Sequence, residues 1–121
     1  MKRLMTAAAT AAALVVTPLA PAGAAGSPIA AAPGSFAAGY ATPVAAVQVG
    51  AEVLFVNRDF APHDVVSVDK GPDGAPLFAT AIVAPGGTTT LRGLEDLESG
   101  KTYEFFCTLH AGSMRGVMIA N

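Results

Sequence analysis

Only one cysteine and two histidines occur among the 121 residues, and tryptophan is missing altogether. A lone Cys cannot build the disulfide framework on which small exported domains commonly rely. Charge is scarce too: 13% of residues are charged, Lys plus Arg total 7, Asp plus Glu total 9, and the formal net charge is −2. This excludes a disordered acidic or basic tail and gives no electrostatic case for nucleic acid binding. With aromatics at 7%, the core must rest on Val, Leu, Ile and a few Phe. Hydrophobic residues reach 52%, but this does not make a membrane protein, because the excess is gathered at one end.

That end, residues 1–25, reads as a signal peptide. Lys2 and Arg3 form a short positive region, Leu4 to Val16 is uncharged and Ala-rich, and Pro18 and Pro21 break any helix beyond it. Ala22-Gly23-Ala24 and Ala25 supply the small residues of a cleavage site, so cleavage is expected near Ala24 or Ala25. The apolar stretch falls short of the ~20 residues of a spanning helix. No Cys follows it to take a lipid. The reading is therefore export, to the periplasm, cell surface or medium, with no membrane span after cleavage.

Residues 26–35, within a stretch rich in Gly, Ala, Pro and Ser, read as a flexible leader, and order is expected from about Phe36 or Tyr40 onward. Residues 36–121 then form a single domain of about seven or eight short strands. The runs are Val44–Val49, Glu52–Asn57, His63–Asp69, Leu77–Val83, Thr88–Leu91, Lys101–Cys107 and Arg115–Ala120, with turn residues between them. Such spacing suits an all-β antiparallel sandwich or barrel. No apolar stripe of helical period appears after the signal peptide, and Gly93–Gly100 can make one helical turn at most.

Chemistry-bearing residues cluster in one segment. Period-2 alternation puts Tyr103, Phe105 and Cys107 on one face, so Cys107 ends a strand pointing into the core. Thr108 to Ser113 form a tight loop, which brings Cys107, His110 and Met114 near a common point. The other histidine, His63, opens a strand directly after Phe60-Ala61-Pro62, and a strand start can meet a strand end at the same pole of a sandwich. Two imidazoles, a thiolate and a thioether suit a borderline-soft metal. Trigonal coordination by two His and one Cys, with a long axial Met, defines a blue-copper centre. Zinc fits less well, since its structural sites rarely recruit Met. Singly, each residue has a plainer role: a buried Cys packs as a small apolar group, a strand-end His meets solvent, and Met114 or Met118 fills core space. The conjunction Cys-x2-His-x3-Met, with the remaining His at a strand start, is what points to metal.

These residues resemble the cupredoxins, and among them the small plastocyanin- and azurin-like copper proteins. The carriers are Val53-Leu54-Phe55-Val56-Asn57-Arg58-Asp59 leading into Ala61-Pro62-His63-Asp64-Val65, and Tyr103-Glu104-Phe105-Phe106-Cys107-Thr108-Leu109-His110 leading to Met114-Arg115-Gly116. The resemblance implies a Greek-key β-sandwich, one type 1 copper ion held by His63, Cys107, His110 and Met114, and single-electron transfer between larger redox partner proteins by a monomer. It also implies that His110 is the ligand nearest solvent, within an apolar collar for which Ala61, Pro62, Pro85, Ala111 and Gly112 are the candidates. The acidic trio Glu95, Asp96 and Glu98 is either a solvated turn or a docking patch for a basic partner.

Two departures from the family pattern stand out. The family usually places two or four residues between the second His and the Met, whereas Ala111, Gly112 and Ser113 make three, which leaves the axial distance open. The residue after the first His is often Asn, and here it is Asp64. Its carboxylate can accept a hydrogen bond from the Thr108 hydroxyl or backbone N–H and so tune the thiolate, while its charge favours Cu(II).

Other functions fit less of the sequence. Copper storage or delivery calls for Met- or His-rich, open sites. A metal-free adhesion domain leaves Cys107 unexplained. An enzyme is not expected, because copper oxidases need further copper on additional His, and a Ser/His/Asp set has no His to spare.

Overall fold

The computed structural model describes residues 26–121. The expected signal peptide, residues 1–25, lies outside the described residues. Seven strands occur among them: β1 (Ile29–Ala31), β2 (Val44–Val47), β3 (Leu54–Asn57), β4 (Val66–Ser67), β5 (Thr88–Thr90), β6 (Thr102–Phe106) and β7 (Arg115–Ala120). One short helical turn, α1 (Ser35–Ala38), joins β1 to β2, and a 3-10 turn covers Leu94–Asp96. No described helix is long and apolar enough to cross a membrane.

The strands form two sheets, in the orders β1-β3-β5 and β2-β7-β6-β4. Side chains alternate along each strand, so one row fills the space between the sheets. On β6, Tyr103 and Phe105 are buried while Thr102 and Glu104 are exposed; on β7, Gly116, Met118 and Ala120 are buried. Ile29, Val47, Val53, Phe55, Phe78 and Leu94 complete the core from the other elements.

Three features differ from the sequence reading. First, the sheets are mixed rather than antiparallel throughout. β1 runs parallel to β3, with Ile29 opposite Phe55, and β2 runs parallel to β7, with Val44 opposite Val117. Both parallel strands are edges contributed by the N-terminal segment, which crosses from one sheet to the other through α1. Because β2 lies in the opposite sheet, the chain from β1 to β3 is long enough for the crossover that a parallel pair needs.

Second, residues 26–35 are not a flexible leader. Ile29 and Ala31 are fully buried, Gly26 N–H donates to the Glu52 carbonyl at 2.9 Å, and the domain starts earlier than Phe36. Ile29 and Ala31, at i and i+2, turn one face of this edge strand into the core beside β3, and the surrounding Ala, Pro and Gly hid them. Third, Leu77–Val83 forms single bridges instead of a strand. Ala79 pairs with both Val66 and Arg92, and Val83 pairs with His63. The segment swings between the edge of one sheet and the edge of the other, so no run of residues stays in register with either. His63–Asp69 shrinks for the same reason to β4, with His63 on its isolated bridge.

Gly116 leaves no room for a side chain between neighbouring strands. It lies opposite Phe105, and a Cβ there would stand 2.6 Å from Phe105 Cε1 and 2.9 Å from the Pro43 carbonyl oxygen. Phe105 is fully buried and has nowhere to go. Gly116→Ala is therefore expected to lower unfolding stability by about 1–3 kcal/mol. Gly112→Ala, which meets nothing within 4 Å, is expected to stay within about 0.5 kcal/mol. Denaturant unfolding of the two variants side by side checks the contrast, and equal effects would contradict it.

Candidate metal centre

His63 is presented by a loop that its own side chains tie down. At the end of β3, buried Asn57 donates through Nδ2 to the Ala61 and Val83 carbonyls, both at 2.9 Å, and its Oδ1 accepts the Asp59 N–H at 2.9 Å. The His63 backbone then exchanges two hydrogen bonds with Val83, at 3.1 and 2.8 Å. The histidine is thereby fixed at one pole of the sandwich, although no continuous strand begins there.

Cys107 directly follows β6, and the loop after it closes by successive turns. His110 N–H donates to the Cys107 carbonyl at 3.2 Å, and Met114 N–H to the His110 carbonyl at 2.9 Å. Cys107 N–H donates to the Met114 carbonyl at 3.0 Å, which joins the loop's two ends. Cys107 and Met114 are fully buried; His110 is half-buried.

The donor atoms meet here. Cys107 Sγ lies 3.7 Å from His63 Nδ1 and 3.7 Å from His110 Nδ1. All three atoms fall within 4.8 Å of one another, and the two imidazole centroids are 4.9 Å apart. A metal bonded to nitrogen at about 2.0–2.1 Å and sulfur at about 2.3 Å in a trigonal plane keeps those ligand atoms about 3.5–3.8 Å apart. The donor set thus fits an ion bound by two nitrogens and one sulfur, with Met114 buried at the end of the same loop.

The surroundings act on the sulfur and the loops. Burial pushes the Cys107 thiol above its ordinary value and the Asp64 carboxylate adds to this, against backbone hydrogen bonds from Asp64, Leu109 and His110. A thiol held protonated takes up metal with release of that proton. Asp64 joins the two ligand loops: its Oδ1 accepts the Thr108 N–H at 2.7 Å and its Oδ2 accepts the Thr108 hydroxyl at 2.6 Å. Pro62, Pro85, Ala111 and Gly112 are all exposed, and Ala61 is half-buried.

Sequence reasoning missed four contributors: Asn57, whose three hydrogen bonds build the His63 loop, Asp59, Tyr40 and Phe36. Asp59 is buried, and its Oδ2 lies 2.6 Å from His63 Nε2. Burial alone would raise the Asp59 carboxyl. The His63 hydrogen bond and the amides of Gly34, Phe60 and Phe36 outweigh it and hold the group at about 2. The Asp-x3-His spacing was visible, but Asn57 read as the end of a strand and Asp59 only as part of the segment that carries the family resemblance. Phe36, half exposed, stands with its ring 6.4 Å from that of His110, and its carbonyl accepts the Ser113 hydroxyl at 2.6 Å. α1 thus sits against the Cys107–Met114 loop.

Residues 33–121 match the family described as copper binding proteins, plastocyanin/azurin family. The chain belongs to this plastocyanin/azurin family. Among solved structures, its fold is similar to a purple cupredoxin from Nitrosopumilus maritimus, at 21% identity over 78% of this chain and 99% of that one, TM-score 0.61. It is also similar to a reduced auracyanin from Roseiflexus castenholzii, at 24% identity over 84% of this chain and 99% of that one, TM-score 0.62. A Cu(I) form of an amicyanin variant is similar at 27% identity over 84% of this chain and 86% of that one, TM-score 0.60. No match was found among curated proteins. As a cupredoxin with this donor cluster, the chain is a copper electron-transfer protein whose cofactor is one type 1 copper ion.

Tyr40 braces the floor of the cupredoxin site. Its hydroxyl donates to the Asp64 carbonyl at 2.6 Å and its ring meets Phe105 edge-on at 5.1 Å. Burial first, then negative charge at Cys107 and Asp64, pushes the phenol far above its ordinary value. A raised folded value means that this contribution to stability is intact below about pH 10, the unfolded value, and fades as pH climbs beyond it. In an alkaline absorbance titration of the metal-free protein, the Tyr40 phenolate is expected to appear only together with loss of β-sheet circular dichroism. Reversible ionisation of Tyr40 in the folded state would contradict this.

Proposed function

We propose that the chain is an exported, mobile single-electron carrier in which His63, Cys107, His110 and Met114 hold the copper. The observation that carries this reading is the Cys107 sulfur set 3.7 Å from Nδ1 of each histidine. Bound copper supplies one redox couple, Cu(II)/Cu(I). The chain's part is to keep the donors where they are: backbone pairing holds His63 against Val83, and Asp64 locks Thr108 beside Cys107. Ligands fixed in this way move little when the charge on the metal changes, which favours fast transfer.

His110 is half-buried while the other donors are enclosed, so it is the route by which an electron reaches the surface. Exposed Pro62, Pro85, Ala111 and Gly112 are the residues proposed to make an apolar docking patch beside it, and Phe36, its ring 6.4 Å from that of His110, adds exposed apolar area. Such a patch suits brief contacts between a monomer and its electron donor and acceptor proteins. Export rests on the character of residues 1–25. Glu95, Asp96 and Glu98 are exposed and can steer a basic partner. Catalysis is not part of this reading, since both histidines serve the copper.

Cu(II) added to the purified domain is expected to give an intense visible thiolate-to-copper band, and Cys107→Ser to abolish it. A colourless wild-type protein would sink the reading. Copper that exchanges in seconds rather than hours would favour storage or delivery instead. Asp64→Asn is expected to raise the midpoint potential, because a negative charge beside the thiolate is lost while the amide oxygen still accepts from Thr108; voltammetry showing an unchanged or lower potential would count against it.

A further inference from the structure

The two ring nitrogens of His63 face different groups. Nδ1 faces the Cys107 sulfur at 3.7 Å, and Nε2 meets Asp59 Oδ2 at 2.6 Å. A neutral imidazole has one N–H, and an ionised carboxylate can only accept. The proton therefore belongs on Nε2, and the Nδ1 lone pair is left aimed at the donor cluster. His110 turns its Nδ1 toward the same sulfur, but among the described residues no carboxylate pairs with its ring. The two histidines of the site are electronically unequal.

Asp59 is itself immobile. Its Oδ1 accepts the N–H groups of Gly34 and Phe60, each at 2.8 Å, and its Oδ2 accepts the Phe36 N–H at 3.1 Å besides His63. Four donors converge on one buried carboxylate, two of them from the turn that opens α1. A carboxylate held so firmly can set the orientation of a ring, whereas an exposed one would follow it.

We propose that Asp59 is a positioning residue: it fixes His63 in the Nε2–H form and, through a short charge-assisted hydrogen bond, makes His63 the stronger donor of the two histidines. This rests on His63 being a copper ligand. A carboxylate behind a metal-bound imidazole raises its basicity, and loss of such a partner typically costs 10–100-fold in metal affinity. The more highly charged ion gains most from a stronger donor, so the loss falls mainly on Cu(II). The simpler role, a tether for Gly34–Phe36, weakens both oxidation states alike.

Two measurements separate these roles. In Asp59→Asn, competition against chelators is expected to show a 10–100-fold loss of Cu(II) affinity and a smaller loss for Cu(I). The midpoint potential then rises by about 59 mV for each tenfold difference between the two losses. Equal losses with an unshifted potential would overturn the tuning role. Independently of that variant's folding, nitrogen-15 NMR of metal-free wild-type protein is expected to find the His63 proton on Nε2, and a proton on Nδ1 would overturn the positioning role. A wild-type protein that stays colourless with copper would overturn the ligand reading itself, whereas a blue wild type with an unshifted Asp59→Asn potential would overturn only the tuning assigned to Asp59.

Discussion

Everything at the metal pole depends on a single separation: the distance between a loop that follows β3 and a loop that follows β6. His63 belongs to the first and Cys107 to the second, and a few tenths of an ångström decide whether sulfur and nitrogen can share one ion. Local bonds alone cannot hold this distance, because the two loops are far apart in sequence. The sandwich fixes it through the pairing of His63 with Val83 and the hydrogen bonds from Thr108 to Asp64. The price is two buried carboxylates, Asp59 behind the His63 ring and Asp64 near the buried thiol. Both are tolerated because their oxygens are supplied with donors, Asp59 with four and Asp64 with the two from Thr108.

The β6–β7 hairpin and its loop were legible in the sequence for a physical reason. Alternation along Tyr103–Cys107 sets which side chains point inward, and the short interval to Met114 leaves the loop few ways to close. The family pattern around His63 was equally legible, because Val53–Asp59 and Ala61–Val65 resemble the family apart from Asp64. Asp59 was not, since its partner is chosen by how the 57–63 loop curls, and turn residues carry no mark of which way a carboxylate will face. The strand Ile29–Ala31 escaped notice because one isoleucine between alanines looks like linker composition. Its burial depends on β3 lying alongside. Parallel pairing of β1 and β2 has no local signature either; it follows from the path of the chain between two sheets.

The N-terminal turn has a larger part than its length suggests. Gly34 and Phe36 give their amide protons to Asp59, and the Phe36 carbonyl receives the Ser113 hydroxyl. One turn therefore touches the loops of both histidines. The stretch that composition marked as a flexible leader thus supplies part of the frame around the metal pole.

The pairing of β2 with β7 bears on synthesis. Val44–Val47 hydrogen-bond to Val117–Ala120, and β7 is an inner strand of its sheet, flanked by β2 and β6. A nascent chain emerging from the ribosome has no complete second sheet until these last residues appear, and contacts between such remote segments form slowly. The larger sheet therefore cannot close before the last strand of the chain has been made.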